Sequence, residues 1–216
     1  MSDILELKNV WKTYYTGDKE THALKDFNYT FKRGSFNIIL GPSGSGKSTF
    51  IRVAGLLENP TKGSILINGE NLNLLGEKER ASFIKNNIGF IFQNSNLIHS
   101  LNVLENLMLS MPSKDAENAK NLLKKVEFHE FNKFPQELSF EEQQRVTIAR
   151  AMINDHFIIL ADEPTGELHT DEASKIMNLL LDLCKKEELT IILATNNKSL
   201  SRFGENILEI SDGIIK

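Results

Sequence analysis

The sequence lacks several features that mark particular classes of protein. It has one cysteine, five prolines and one tryptophan among 216 residues. Because the single Cys184 cannot form an internal disulfide, a disulfide-stabilised fold is excluded, and we interpret this residue as a buried structural thiol. No apolar run approaches the roughly 20 residues that a membrane-spanning helix needs. The first residues also lack the basic and apolar regions of a secretory signal. We therefore expect a cytoplasmic location.

The sequence also lacks an excess of basic residues. It has 25 Lys and Arg against 29 Asp and Glu, a formal net charge of −4. Nucleic acids and anionic membranes attract positively charged surfaces, so this balance argues against both as the main partner. We predict that the protein does not bind nucleic acid.

The most informative segment present is a glycine-rich stretch between a predicted buried strand, residues 36–40, and a predicted helix that begins at Lys47. It matches the phosphate-binding loop, G-x-x-x-x-G-K-S. In such a loop backbone N–H groups surround phosphate oxygens, the lysine reaches the β- and γ-phosphates, and the serine hydroxyl binds Mg²⁺. An ordinary Gly/Ser turn is the alternative. We predict nucleoside triphosphate binding by Gly41, Pro42, Ser43, Gly44, Ser45, Gly46, Lys47, Ser48 and Thr49.

A second motif follows another apolar run. Residues 157–161 are all apolar, and Asp162 and Glu163 follow them directly. An aspartate at the end of a buried strand is costly unless it serves a cation. We predict that Asp162 holds Mg²⁺ opposite Ser48 and that Glu163, as the catalytic residue, polarises the attacking water. A solvated turn is the alternative.

Strand and helix patterns alternate around these motifs. Strands are predicted at residues 4–10 and 27–39, and helical patterns dominate from about residue 100 to 154. Such alternation predicts an α/β fold with a mainly parallel sheet and helices on both faces. We predict one domain, with a core of about residues 1–92 and 156–216 and an inserted helical subdomain of about residues 93–155.

The two motifs, Gln93 and the helical insert together resemble the ATP-binding-cassette (ABC) ATPases over essentially the whole chain. The segments 96–106, 142–151 and 161–166 resemble the lipoprotein-release and macrolide-export group, with the related cell-division ATPase. The resemblance implies a P-loop NTPase fold, ATP and Mg²⁺ as cofactors, and ATP hydrolysis. It also implies dimerisation, as a homodimer or a heterodimer, and a separate transmembrane permease that holds the protein at the cytoplasmic face of the membrane.

The resemblance further implies roles for single residues. Tyr14 is the aromatic residue that stacks on adenine, with Tyr15 as an adjacent rival. Gln93 is the mobile glutamine that contacts Mg²⁺ and the attacking water, so we place it with Lys47 and Glu163 in the catalytic set. Residues 93–101 would face the permease, and we expect the apolar side chains in this loop to be exposed.

The departures from the family pattern concern the γ-phosphate. The signature Leu-Ser-Gly-Gly-Gln is replaced by residues 138–142, Leu-Ser-Phe-Glu-Glu. Ser139 would still contact the partner's nucleotide and, with Glu142, forms a capping box. Phe140 and Glu141 would put a bulky ring and a negative charge where glycines allow close approach.

Two further positions depart from the family pattern. The loop after Glu163 ends in His169 instead of aspartate, and Asn196 replaces the switch histidine. We therefore expect hydrolysis that is weakened or depends on a partner. The main alternative is a nucleotide-gated regulatory or mechanical module with little turnover, and a third is a soluble cassette ATPase of DNA repair or cluster assembly.

Overall fold

The computed structural model describes residues 2–111 and 113–216. Met1 and Pro112, which belong to the predicted core and helical subdomain, lie outside the described residues. The strands are β1 (Asp3–Thr16), β2 (Lys19–Lys32), β3 (Phe36–Leu40), β4 (Lys62–Ile67), β5 (Glu70–Asn71), β6 (Ile88–Phe92), β7 (Ile158–Asp162), β8 (Thr190–Thr195), β9 (Asn206–Ser211) and β10 (Ile214–Ile215). The α-helices are α1 (Lys47–Ala54), α2 (Glu77–Asn87), α3 (Val103–Ser110), α4 (Ala116–Lys125), α5 (Phe140–Ala151) and α6 (Thr170–Lys186).

A six-stranded sheet forms the centre of the molecule, in the order β10-β9-β3-β8-β7-β6. All of its neighbouring strands are parallel except β10, which pairs antiparallel with β9. Strands β3 and β8 are buried at every position, as continuous apolar runs in a parallel sheet require. The predicted α/β fold with a mainly parallel sheet is confirmed.

A second sheet, antiparallel and in the order β2-β1-β4-β5, adds a layer that the sequence pattern did not predict. Its long hairpin pairs β1 with β2 from Asp3 to Thr16, well beyond the predicted strand of residues 4–10. The outer part of β1 is only partly buried, so it lacks the apolar alternation by which a strand is recognised.

The two faces of the parallel sheet carry different covers. One face packs against α3, α4, α5 and α6 in a single apolar cluster. The other face packs against α1 and the antiparallel sheet. Helices therefore lie on both faces, as predicted. Cys184 is buried on α6, in agreement with a structural thiol. None of the described helices combines the length and apolar character needed to cross a bilayer.

The parallel strands end together at one edge of the sheet. Leu40 pairs with Thr195, and Asp162 lies between Phe92 and Ala194. Ligands of open α/β sheets bind beyond such carboxyl ends. The loops that leave this edge contain the predicted phosphate-binding loop, the Asp-Glu pair and Gln93.

Candidate nucleotide-binding site

The phosphate-binding loop connects the buried strand β3 to helix α1. Gly46 immediately precedes α1 with φ of 106°. A Cβ atom at this position would lie 2.4 Å from the carbonyl oxygen of Ala23, so both the backbone conformation and the packing require glycine. The carbonyl of Gly46 accepts the first helical hydrogen bond from Phe50 at 2.8 Å. The free N–H groups of the first turn of α1 consequently face the loop, which suits an anion.

Lys47 is held inside this loop. Its side chain is 6% exposed, and Nζ donates to the carbonyl oxygens of Gly41 at 2.9 Å and Pro42 at 3.1 Å. Nζ also lies 3.6 Å from Oε1 of Glu163. The ammonium group is therefore at the centre of the site, with a carboxylate on its opposite side.

Glu163 is fixed by its backbone and by its side chain. Its φ of 48° is unusual for a residue with a side chain, and strain of this kind is found at functional sites. Its N–H donates to Ala194 O at 2.9 Å, and Oε2 accepts a hydrogen bond of 2.9 Å from the hydroxyl of Thr195. One carboxylate oxygen thus faces the neighbouring strand and the other faces Lys47.

Asp162 has a carboxylate oxygen without a protein partner. Its Oδ1 is buried and makes no hydrogen bond among the described residues. A buried carboxylate oxygen left in this way is destabilising unless a cation or water satisfies it. Within residues 2–111 and 113–216 no cluster of three or more His, Cys, Asp or Glu residues could hold a metal by itself. The donor set suits a cation that keeps water or phosphate ligands, such as Mg²⁺.

Gln93 follows β6 and is exposed. Its side chain packs against Gly166, where an added Cβ would lie 3.2 Å from Gln93 Nε2. Helix α5 anchors the loop that begins at Gln93. Arg150 donates to Ser95 O at 2.7 Å and to Asn96 O at 3.0 Å. Burial of the guanidinium lowers the pKa of Arg150 from its ordinary value.

A cavity of about 320 Å³ brings the predicted residues together. Its walls carry groups from the loops after β3, β6, β7 and β8, and they also include Ala23, which the sequence did not single out. The lining residues are Ala23, Ser43, Gly44, Gly46, Lys47, Ser48, Thr49, Gln93, Glu163 and Asn196. The sequence-predicted residues Gly41, Pro42, Ser45, Tyr14, Asp162 and Ser139 are not part of this lining.

Comparison with known proteins shows the family to which this chain belongs. A sequence model described as ABC transporter matches residues 24–166, which include both chemical motifs. The chain belongs to the ABC transporter family.

Relatives of the ABC cassette match it over nearly its whole length. The ABC transporter ATP-binding protein MJ0796 of Methanocaldococcus jannaschii is 41% identical over 99% of this chain and 95% of its own. A dimeric structure of MJ0796 has a TM-score of 0.90 at 40% identity, covering 99% of this chain and 97% of the other. A second structure with the same values is a dimeric post-hydrolysis state with ADP and phosphate. The macrolide export protein MacB of Chlorobium phaeobacteroides is 38% identical over all of this chain and 34% of its own.

These relatives confirm the predicted resemblance. The chain is an ATP-binding cassette of the ATPase type, and the match to MacB agrees with the predicted similarity to the macrolide-export group. The P-loop NTPase fold is likewise confirmed, because the solved cassettes superpose on almost the whole chain.

The ABC signature region departs from the sequence expectation at one residue. Ser139 accepts from Glu142 N at 3.2 Å, and Glu142 accepts from Ser139 N at 2.8 Å, so the predicted capping box is confirmed. Phe140, at the start of α5, is 60% exposed. Its ring is therefore accessible to an approaching partner. Glu141 does not present its charge there.

The Glu141 carboxylate is instead paired with cations on two helices. Oε1 accepts from Arg145 Nε at 3.1 Å and from Nη2 at 2.9 Å, and Oε2 lies 3.4 Å from Lys175 Nζ on α6. The negative charge expected at the signature loop is therefore balanced by two cations and is not left unpaired. The i, i+4 spacing to Arg145 explains the difference, because it turns the side chain back along α5.

The predicted permease-facing loop is also less exposed than expected. Leu97 is 6% exposed and belongs to the apolar cluster beside the parallel sheet. Ile98 is 42% exposed, and Leu101 is half-buried. The expectation of an exposed apolar loop therefore holds for Ile98 and is wrong for Leu97.

Tyr14 lies outside the cavity, near the end of β1, and is half-buried. Its hydroxyl donates to Glu58 at 2.7 Å. Tyr15 points to the other side of the strand and is 69% exposed. Of the two rivals only Tyr14 contacts the segment that follows α1.

Sequence reasoning missed three supporting residues: Thr195, Glu58 and Arg150. Thr195 could have been found, because it ends a buried parallel strand beside the strand that immediately precedes Glu163. Glu58 and Arg150 reach their partners only through the tertiary fold, and their local sequences carried no signal of these contacts.

Proposed function

We propose that this cassette binds Mg²⁺-ATP, closes as a dimer around it, and drives a separate transmembrane permease from the cytoplasmic face of the membrane. The observation that carries the proposal is the convergence of Lys47, Gln93 and Glu163 on one cavity with the phosphate-binding loop. The division into a core of about residues 1–92 and 156–216 and a helical subdomain of about residues 93–155 is part of this proposal.

The triphosphate fits the cavity at its phosphate-loop end. N–H groups of the loop and of the first turn of α1 would receive phosphate oxygens, and the ammonium of Lys47 would exchange loop carbonyls for the β- and γ-phosphates. Ser48 and Asp162 would hold Mg²⁺, with Gln93 beside it. The unpartnered Asp162 Oδ1 supports this assignment. Mg²⁺, when bound, supplies charge stabilisation to the transferring phosphoryl group.

Glu163 is positioned to act on the water that attacks the γ-phosphate. Its carboxylate is 17% exposed, points toward Lys47, and is anchored from behind by Thr195. A carboxylate held in this way can accept a proton from water without moving. Tyr14 would stack on the adenine, and Ser139 would contact the nucleotide of the second cassette.

The partners of the proposed complex follow from similar proteins. MJ0796 is dimeric in its solved structures, and MacB is by its printed name an export ATP-binding and permease protein. The second cassette would be another copy of this chain or a different cassette, and the exposed Ile98 marks the loop that would meet the permease.

Replacement of Lys47 tests the proposal. Lys47→Ala should abolish or greatly weaken binding of a fluorescent ATP analogue, while the far-ultraviolet circular dichroism spectrum stays that of the wild type. Lys198→Ala is the matched control, since Lys198 is exposed and lines a neighbouring cavity with Gly41 and Pro42. Wild-type affinity in Lys47→Ala would contradict the assignment.

A further inference from the structure

A cluster of polar side chains joins the end of β1 to the segment after α1. The hydroxyl of Tyr14 donates to Glu58 Oε2 at 2.7 Å, and Lys12 Nζ lies 3.0 Å from the same oxygen. Lys12 also donates to the carbonyl of Asn59 at 2.9 Å, and Arg52 Nη1 lies 3.7 Å from Glu58 Oε1. The side chains of Lys12 and Glu58 are 15% and 26% exposed. Partial burial protects these contacts from screening by salt.

The protonation states in this cluster favour a strong hydrogen bond. Burial raises the pKa of Tyr14, and the hydrogen bond to Glu58 raises it further. Although burial alone would raise the pKa of Glu58, the hydrogen bonds from Tyr14 and Lys12 hold it below its ordinary value. At neutral pH the donor is therefore a neutral phenol and the acceptor a carboxylate, which is a charge-assisted hydrogen bond.

The same cluster covers one face of the Tyr14 ring. Lys12 Nζ lies over the ring, 5.1 Å from its centroid, in cation–π geometry. The ammonium is held there by Glu58 and by the carbonyl of Asn59. The face that Lys12 covers is therefore closed to a ligand ring. The hydroxyl of Thr49, in the first turn of α1, lies beside the Tyr14 hydroxyl and opposes the rise in its pKa.

We propose that Glu58, held by Lys12, is a positioning residue that fixes the Tyr14 ring as a one-sided platform for the base of the nucleotide. This inference rests on the proposed function, because it takes Tyr14 as the residue that stacks on adenine. A ring that is anchored at its hydroxyl and covered on one face has little orientational freedom left to lose when the base binds. Glu58 therefore contributes to affinity for the base and not to affinity for the phosphates.

The chain offers a matched control pair. The Tyr15 hydroxyl donates to Glu20 Oε1 at 3.2 Å, the same chemistry as the Tyr14–Glu58 contact, but on the exposed side of the hairpin. Removal of the Tyr15 hydroxyl or of the Glu20 carboxylate should leave nucleotide binding unchanged.

The test compares affinities of the full chain for ATP and for inorganic triphosphate. Glu58→Ala and Tyr14→Phe should each weaken ATP binding about three- to tenfold, because the hydrogen bond acts on the base only by positioning the ring and its loss removes only part of its energy from binding. Both should bind inorganic triphosphate as the wild type does. Glu58→Gln should retain most of the ATP affinity, because its amide oxygen still accepts from Tyr14. Glu20→Ala and Tyr15→Phe should match the wild type with both ligands.

A double-mutant cycle separates positioning from a general effect on the fold. If Glu58 acts through the Tyr14 hydroxyl, Glu58→Ala should cause no further loss of ATP affinity in the Tyr14→Phe background. Additive losses, equal losses for ATP and inorganic triphosphate, or wild-type ATP affinity in Glu58→Ala would each overturn the inference.

The proposed function can fail separately from this inference. If Tyr14→Ala weakens ATP binding while Glu58→Ala does not, Tyr14 keeps its proposed role and only the positioning role of Glu58 is overturned. If Tyr14→Ala binds ATP as the wild type does, the assignment of Tyr14 is wrong and the inference falls with it. Lys47→Ala reports independently on the phosphate site.

Discussion

The hydroxyl of Thr195 donates a 2.9 Å hydrogen bond to Glu163 Oε2 and leaves the other carboxylate oxygen directed toward Lys47. Thr195 ends β8 and Glu163 immediately follows the neighbouring strand β7, so the pairing of these two strands brings the hydroxyl to the carboxylate. A general base works only when its lone pair points at the proton it removes. Thr195 therefore supports the orientation on which the proposed catalytic role of Glu163 depends.

Replacement of Glu163 should separate hydrolysis from binding. Glu163→Gln should lower the rate of phosphate release by at least about 10²-fold, because the amide cannot accept the proton. The affinity for ATP should stay within about threefold of the wild type, since the site loses no phosphate contact. Thr195→Val should give a smaller loss of rate with the same affinity.

Glu188→Gln is the control for this series. Glu188 is an exposed glutamate with a φ of 54°, close to the 48° of Glu163. The Glu188→Gln variant should hydrolyse ATP at the wild-type rate. Undiminished phosphate release by Glu163→Gln would contradict the assignment of the catalytic base.

The signature region should respond to Phe140 and not to Glu141. Phe140→Gly removes an exposed ring at the start of α5 and should raise the steady-state rate of phosphate release. One well-placed donor to a developing charge contributes about 10²–10³-fold, which sets the upper limit of the gain. Asn196→His combined with Phe140→Gly should give a larger gain than Phe140→Gly alone.

Glu141→Gly is the informative comparison. It removes the ion pairs with Arg145 and Lys175 and introduces a glycine into the first turn of α5. We expect a loss of about 1–2 kcal/mol in the free energy of unfolding, and no gain in turnover. Thermal unfolding and phosphate release measure the two effects. An increase in rate for Glu141→Gly equal to that for Phe140→Gly would show that the charge of Glu141 does act on the nucleotide.

The loop after Gln93 can be tested with two adjacent residues. Ile98→Asp should release the cassette from membranes that contain its permease, while ATP binding and thermal stability are unchanged, because Ile98 is 42% exposed. Leu97→Asp should instead destabilise the fold by several kcal/mol, since it buries an unpaired charge in the apolar cluster. Co-sedimentation with membranes and thermal unfolding distinguish the two. Unchanged sedimentation of Ile98→Asp would place the docking surface elsewhere.

Cys184 should be unreactive in the folded protein. Burial raises the pKa of its thiol to about 11, so at pH 8 only about 0.1% is thiolate. Alkylation by iodoacetamide at pH 8 should be slow in buffer and fast in denaturing urea. Because the pKa of the thiol is higher in the folded than in the unfolded state, the free energy of unfolding should decrease as the pH rises from about 9 to about 11. Rapid alkylation of the native protein would show that the thiol is accessible.

Residues whose role depends on local backbone chemistry were predictable from the sequence. The phosphate-binding loop, the buried strand before it and the capping box of Ser139 and Glu142 depend on spacing over fewer than ten residues, and each was found where the pattern placed it. The position of Asp162 at the end of β7 followed in the same way, because a polar residue after a continuous apolar run is expected at a strand end.

The direction of a long side chain was not predictable, because it depends on which partners the fold brings near. Glu141 was expected to face a phosphate and instead pairs with Arg145 on its own helix and Lys175 on α6. Leu97 was expected on the surface and fills the apolar cluster, since the helices around it leave an apolar space there.

The sequence alone determined the chemistry of this cassette, because glycine, lysine and serine at short fixed spacings between a strand and a helix are typical of a nucleotide-binding loop. Only the tertiary structure decided how that chemistry is supported. Thr195 reaches Glu163 through the pairing of parallel strands, and Glu58 reaches Tyr14 through the packing of the hairpin against α1. Contacts of this kind join residues far apart in the chain, so no local pattern encodes them.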